Sequence, residues 1–328
     1  MPKYITPGVF VQELSHLPPA VAEVASAVPA FVGYTQRVTH AQLGDLTLRP
    51  QRIASLAEFE ALFGSAPPAR VNEVQIDVDG KFLGATFSAS YALDYPLFQS
   101  LRLYFDNGGG TCYVVSVGTG GTASPAIDSG TLVAGVKVLA TLDEPTLLVC
   151  PEAALLDDLD MAAVQQAMLQ QCSRLQDRFA VLDTRLEDPQ AQSFRAHIGD
   201  DFLRYGAAYT PWLKQRQPCA ATYADLRGVL RCDGAPVAMH ELTTAPVLLA
   251  KLRDIDQALD ANPDADVSAQ TQWLERNFLL YRAIVEGVRN SCTVACPPSG
   301  AVTGVYVAVD NQRGVWKAPA NVRSPPLQ

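Results

Sequence analysis

Residues Thr146–Leu182, TLLVCPEAALLDDLDMAAVQQAMLQQCSRLQDRFAVL, hold two short apolar runs with a long two-faced segment between them. Thr146–Cys150 and Phe179–Leu182 are too short for stable helices and read as buried strands. From about Asp158 to Leu175 the apolar residues Met161, Val164, Met168, Leu169 and Cys172 recur at helical spacing, which predicts an amphipathic helix. The rhythm extends outward on both sides. Leu132, Val136 and Leu139 mark an earlier helical face, and Phe194, Ile198 and Phe202 mark a later one before the strand Ala207–Thr210. Short apolar strands alternating with amphipathic helices predict an α/β fold whose sheet is mostly parallel, with helices on its flanks.

Four zones follow. Residues 1–25 contain Thr6-Pro7-Gly8, a turn-like break, then the β-prone run Val9, Phe10, Val11. Pro18 and Pro19 keep the chain extended. Such a segment makes no internal backbone hydrogen bonds and must add to a sheet edge. It is either the first strand of this chain's core or an arm lent to a neighbour. Residues 26–217 form the α/β core. In it Ala30, Phe31 and Val32 read as a buried strand, and Ser55 with Glu58 has capping-box spacing for a helix through Phe59, Leu62 and Phe63 that Gly64 stops. The turn Asn107-Gly108-Gly109-Gly110 precedes a strand carrying Tyr113, Val115 and Val117 on one side.

Residues 218–296 read as a largely helical insertion. A hairpin turns at Asp233-Gly234, one helix ends at Asn262-Pro263, and a second runs through SAQTQWLERNFLLYRAIVEGVRN. Their stripes (Leu249, Leu252, Ile255 and Leu259 on one; Trp273, Phe278, Tyr281, Ile284, Val285 and Val288 on the other) suit a helical hairpin. In residues 297–328, Ser299 is the expected N-cap of a helix bearing Val302, Val305, Tyr306 and Val309, closed by Gly314 after Arg313. The extended VWKAPANV that follows needs something to pack on.

Composition and motifs exclude several functions. A net charge of −9 without a Lys/Arg cluster argues against nucleic acid. No window approaches the ~18 uninterrupted apolar residues of a membrane span, and MPKYITPGVFVQE lacks a secretory core. Seven cysteines in apolar contexts read as reduced packing thiols; Cys292 and Cys296, close in sequence, lack the further ligands of a zinc site. The glycines of NGGGTCYVV enter a strand, so no helix N-terminus stands ready for phosphate, and no P-loop or nucleophile elbow exists. His16, His40, His197 and His240 are dispersed, and Asp157, Asp158 and Asp160 fit a helix N-terminus better than a metal. No active site, cofactor or metal is expected. A Rossmann-like enzyme would need a polar cleft at the strand ends after Cys150 and Leu182.

The stretches TPGVFVQE, VPAFVGYT, EFEALFG, FDNGGGTCYVVSVG, YTPWLK and, most specifically, PPSGAVTGVYVAVDNQRGVWKAPANV resemble, in that order, the contractile tail sheath proteins of bacteriophages and extracellular injection systems. The resemblance runs to Val322, broken by residues 218–296. It implies a structural subunit, not an enzyme, stacked with other sheath subunits around an inner tube protein. Baseplate proteins would be further partners and an AAA+ ATPase an assembly or recycling factor, with no nucleic acid and no membrane insertion. Assembly would take place in the bacterial cytoplasm, and the particle would be a phage tail or a released injection device. The arm would be Tyr4 to Glu13, with Tyr4, Thr6, Pro7, Gly8, Val9, Phe10, Val11 and Glu13 adding as a strand to a neighbour, and contraction would drive the tube through a target envelope.

Arg313, Gly314, Val315, Trp316, Lys317, Pro319 and Asn321 would form a joint leading to a C-terminal domain. Members of the family continue past W-K-A-P-A-N into that domain, which receives the arm, whereas here only RSPPLQ follows. The expectation is a chain that donates an arm without receiving one, and so does not polymerise by itself. A baseplate or non-contractile surface protein of the same particle is the alternative.

Overall fold

A computed structural model describes residues 27–66, 69–87, 96–120, 127–219 and 221–319. The expected arm, Tyr4 to Glu13, and Asn321 of the expected joint lie outside the described residues. The first half of the chain begins with β1 (Pro29–Thr35), a small ribbon of β2 (Thr39–His40) and β3 (Gly44–Asp45), β4 (Gln51–Ile53) and α1 (Leu56–Phe63). Then come β5 (Val71–Ile76), β6 (Phe82–Phe87), α2 (Pro96–Asp106), β7 (Cys112–Thr119) and α3 (Ser129–Val138). The next units are β8 (Leu147–Val149), α4 (Asp158–Leu175), β9 (Phe179–Asp183), α5 (Gln192–His197), β10 (Gly206–Tyr209) and β11 (Leu213–Arg216). The chain continues through α6 (Tyr223–Leu226), β12 (Leu230–Cys232), β13 (Ala235–Pro236), α7 (Pro246–Ala261), α8 (Ser268–Asn277), α9 (Leu279–Ser291), β14 (Thr293–Cys296) and α10 (Ser299–Arg313).

The main sheet has the order β10-β9-β8-β1-β7-β4. All its pairings are parallel except β4 against β7. Alternation along each strand divides its side chains between two cores. Val32, Val115, Val117, Leu148 and Leu182 pack on one face with Leu132, Val136, Met161, Val164 and Met168 of α3 and α4. Phe31, Val114, Val149 and Val181 pack on the other with Phe59 and Phe63 of α1, Leu97, Leu101 and Tyr104 of α2, and Val307 of α10. Burial on both faces is why β8 reads as an unbroken apolar run.

Several expected elements differ. Ile198 is buried but Phe202 is exposed, because α5 ends at His197 and a short 3-10 turn, Leu203–Tyr205, replaces its continuation. The single helix expected over residues 268–290 is two, α8 and α9, because Phe278 turns extended (φ −119°, ψ 94°) and is buried. Ser299 is the first residue of α10, not its cap, and its side chain makes no cap bond.

The second lobe is wider than the 218–296 insertion and is not a plain helical hairpin. Its sheet has the order β13-β12-β5-β6, so two strands come from before α2. Val71, Val74 and Ile76 share a core with Tyr223, Leu226, Leu230, Leu252, Ile255, Tyr281 and Val288. The helix stripes needed a sheet to cover, and β12 finds it by pairing in parallel with β5, far upstream. An antiparallel ribbon of β11 and β14 forms the neck between the lobes.

Candidate functional site

The carboxyl edge of the parallel sheet is where open α/β proteins take ligands, at the point where the strand order reverses. Here the reversal lies between β1 and β8, since β7 follows on one side of β1 while β8 and β9 build out on the other. Two acids stand at this edge. Glu152 lies on the 3-10 turn Pro151–Leu155 directly after Cys150, and Asp183 ends β9.

Glu152 is fully buried. Its Oε1 accepts the Tyr34 amide at 3.2 Å and the Leu97 amide at 3.1 Å, while Oε2 has no hydrogen-bond partner among the described residues. Pro96 opens α2 without an N–H, so Leu97 carries the first amide that needs an acceptor. Gly33 makes room for this carboxyl group: a Cβ there would stand 2.2 Å from Oε2. Asp183 accepts the Ser299 amide at 2.8 Å through Oδ1, and its own carbonyl accepts from Gln165 Nε2 at 2.7 Å. Burial lifts the Glu152 carboxyl to about 8, against the Tyr34 and Leu97 amides that favour its charged form. Burial likewise lifts Asp183 to about 7, opposed by Ser299.

The two acids therefore serve the N-termini of α2 and α10, which pack against each other. Gly300 and Gly304, four residues apart, let the backbones meet: a Cβ at either would lie 2.3 Å from the Ser100 carbonyl oxygen or 2.5 Å from that of Tyr104. The positive helix ends that would hold a phosphate in a nucleotide-binding sheet are turned onto the chain's own carboxyl groups. Polar groups do stand after Cys150 and Leu182, but as buried structural acids rather than the lining of an open cleft.

A cavity of about 560 Å³ lies instead in the second lobe, lined in part by Tyr223, Arg227, His240, Glu241, Asp256 and Asp260. Glu241 accepts the Ala238 amide at 2.9 Å, and the other acids are paired with basic groups. Arg227 bridges Asp256 at 3.1 Å and Asp260 at 2.5 Å, Tyr223 donates to Asp256 at 3.1 Å, and His240 stands 3.9 Å from Asp256. Among the described residues no group of three His, Cys, Asp or Glu side chains is placed to hold a metal, and no helix is long and apolar enough to cross a membrane.

Residues 107–110, expected as a turn, and residues 313–319, expected as part of a joint, take the following forms. Asn107-Gly108-Gly109-Gly110 is the C-terminal stop of α2. Gly108 has φ +87°, its amide bonds the Phe105 carbonyl at 3.1 Å, and the Gly109 amide bonds that of Tyr104 at 2.9 Å, a Schellman closure. Tyr104 Oη then brackets Gly110, accepting its N–H and donating to its C=O. At the joint, Arg313 ends α10, Gly314 has φ +82°, and its amide bonds Asp310 at 2.9 Å. The Lys317 amide folds back onto the Gly314 carbonyl at 3.1 Å, Pro319 is half-buried, and Val315 and Trp316 are 65% and 85% exposed. Asp157, read as helix-terminal charge, caps α4 by accepting the Leu159 and Asp160 amides.

Glu152 and Asp183 belong to no recognised sequence pattern. Their signal was an acid beside or within an apolar strand run, and G-x-x-x-G at Gly300 and Gly304 was the companion signal.

By sequence, no known protein family and no curated protein matches this chain. Solved structures match by fold. A chain of the anti-feeding prophage (AFP) baseplate in the contracted state superimposes with a TM-score of 0.50 at 22% identity, over 98% of this chain and 58% of that one. The AFP helical sheath in the contracted state gives 0.47 at 21%, over 98% and 57%. The sheath complex of an extracellular contractile injection system, PVC, also contracted, gives 0.43 at 21%, over 99% and 56%. The present chain thus spans less than two thirds of the length of these chains. Its fold is similar to that of the AFP baseplate chain.

Proposed function

We propose that this chain is a structural subunit of a contractile sheath that surrounds an inner tube and drives it through a target envelope. The observation that carries the reading is the fold shared with the contracted AFP baseplate chain over 98% of this sequence. The order of the resembling stretches, from TPGVFVQE to GVWKAPANV, supports it. So does the carboxyl edge, whose two acids hold helices together rather than line a cleft. The subunit is not an enzyme in this reading. Its partners are other sheath subunits, the inner tube protein and baseplate proteins, with an AAA+ ATPase as a recycling factor. Tyr4 to Glu13 is the strand lent to a neighbour, and Arg313 to Asn321 the joint to the part that receives one. Subunits of this kind move as rigid bodies on contraction, which suits a main lobe buried on both sheet faces. Assembly takes place in the bacterial cytoplasm, and the particle acts as a phage tail or after release.

The AFP match being a baseplate structure favours one second reading, a baseplate-proximal component. Gold-labelled antibody against this chain, imaged on purified particles before and after contraction, separates the two. Label along the whole outer layer, with its spacing shortened on contraction, is expected. Label confined to one end selects the baseplate reading, and no label on such particles overturns both.

A further inference from the structure

We propose that Cys219 and Cys292 form a redox-active pair, closing to a disulfide in an oxidising medium and stapling the two ends of the second lobe at its neck. In sequence the close pair is Cys292 and Cys296; the fold pairs Cys292 with Cys219 instead. The two side chains meet inside a small apolar cluster with Ala66, Ala69 and Phe87.

The backbone explains the meeting. In the β11–β14 ribbon Arg216 faces Thr293, and the ladder continues one step further with the Gln217 amide on the Cys292 carbonyl at 2.9 Å. Cys219 follows two residues beyond Gln217, and its side chain packs with that of Cys292 in the same small cluster. A third segment fixes this arrangement: Ala69 bridges Cys219, and its amide bonds the Pro218 carbonyl at 3.2 Å. The pair thus sits where the second segment of the lobe, residues 219–292, begins and ends.

Its two members have different roles. Cys219 is partly exposed and Cys292 buried. Burial holds the Cys219 thiol above its ordinary value, with the Cys292 side chain and the Arg289 charge opposing it and the Asp225 charge adding to it, whereas burial pushes Cys292 up to about 12. Cys219 is the attacking thiol and Cys292 the resolving one. The Cys219 thiolate attacks a sulfur of a small-molecule disulfide such as glutathione disulfide. That S–S bond breaks, one glutathione thiolate leaves, and a mixed disulfide remains on Cys219. Cys292 then loses its proton to solvent and attacks the Cys219 sulfur, expelling the second glutathione thiolate. Two protein thiols are oxidised and one glutathione disulfide is reduced to two glutathiones. Cys112, Cys150, Cys172 and Cys296 are buried away from such a reagent, and closure of the long loop between Cys219 and Cys292 restricts the unfolded chain.

The test treats the full chain, natively folded, with glutathione disulfide at mildly alkaline pH, blocks remaining thiols and maps peptides by mass spectrometry. The expected products are a cross-linked Cys219–Cys292 peptide that dithiothreitol reverses, and an upward shift in the unfolding midpoint. Cys292→Ala should trap a glutathione adduct on Cys219, and Cys219→Ala should leave Cys292 unmodified. Adducts without the cross-link in the parent chain, a cross-link through Cys232 or between chains, or no thiol lost in the native state would each overturn the pairing. None of these results bears on the sheath reading.

Discussion

Replacing Glu152 by Gln tests the buried carboxyl edge by its effect on pH dependence. The folded chain lifts this acid from its ordinary 4.5 to about 8. Between those values the native state holds a proton that the unfolded state has released. The sign follows: stability from this group is full below about pH 4.5 and is lost as pH rises toward 8. At pH 7 the linkage amounts to roughly 3 kcal/mol, taking about 1.4 kcal/mol per unit. Asp183, lifted from 3.8 to about 7, adds a slope of the same sign at slightly lower pH. The amide of Gln keeps an acceptor for Tyr34 and Leu97 but cannot ionise. Its NH2 lies where Oε2 has no partner, a buried unpaired donor that costs about 1–3 kcal/mol. The variant should therefore be less stable than the parent at pH 5 and should close or reverse that gap by pH 8. Urea unfolding followed by circular dichroism at unit pH steps measures both curves. Parent and variant curves that stay parallel from pH 5 to 8 refute the reasoning, because Glu152 would then be ionised in the native state as it is in the unfolded one.

Three further outcomes follow from the packing. Gly304→Leu should cost on the order of 2–3 kcal/mol or prevent folding, since its Cβ alone would reach 2.5 Å from the Tyr104 carbonyl oxygen; thermal melting checks it, and an unchanged midpoint would mean that the two helices are not in backbone contact. Deleting residues 218–292 alone should yield an aggregating protein, because Val74 and Ile76, worth roughly 1.5–3 kcal/mol each when buried, lose their cover. Deleting residues 70–87 as well should restore a soluble, cooperatively unfolding main lobe, as judged by size exclusion and calorimetry. Trp316→Ala should change stability by under about 0.5 kcal/mol, given its 85% exposure, while lowering the yield of particles that incorporate the chain, measured by sedimentation of tagged variants.

The sequence alone determined the local elements of the main lobe. Strand β9 and helix α4 stand almost where the apolar runs and the Met161–Cys172 stripe place them, and Ser55 does cap α1 by accepting the Glu58 amide. It also located the turn at Gly108 and the stop at Gly314, where glycine takes a positive φ without a Cβ clash. These features depend on neighbours a few residues away. What tertiary structure decided is everything that joins distant segments. The Glu152 partners lie at Tyr34 and Leu97 and the Asp183 partner at Ser299, so no local window could reveal two acids capping two helices. Residues 71–76 fall within the span expected to be the α/β core, and their parallel pairing with β12 places them in the second lobe instead. Phe278 breaks a helix at a point where no Gly or Pro marks a break, and its burial in the second-lobe core shows that packing, not propensity, set the bend. Cys292 looked toward Cys296 along the chain and meets Cys219 across the ribbon. Spacing along a chain fixes which face a side chain takes, but only the closed fold fixes what that face meets.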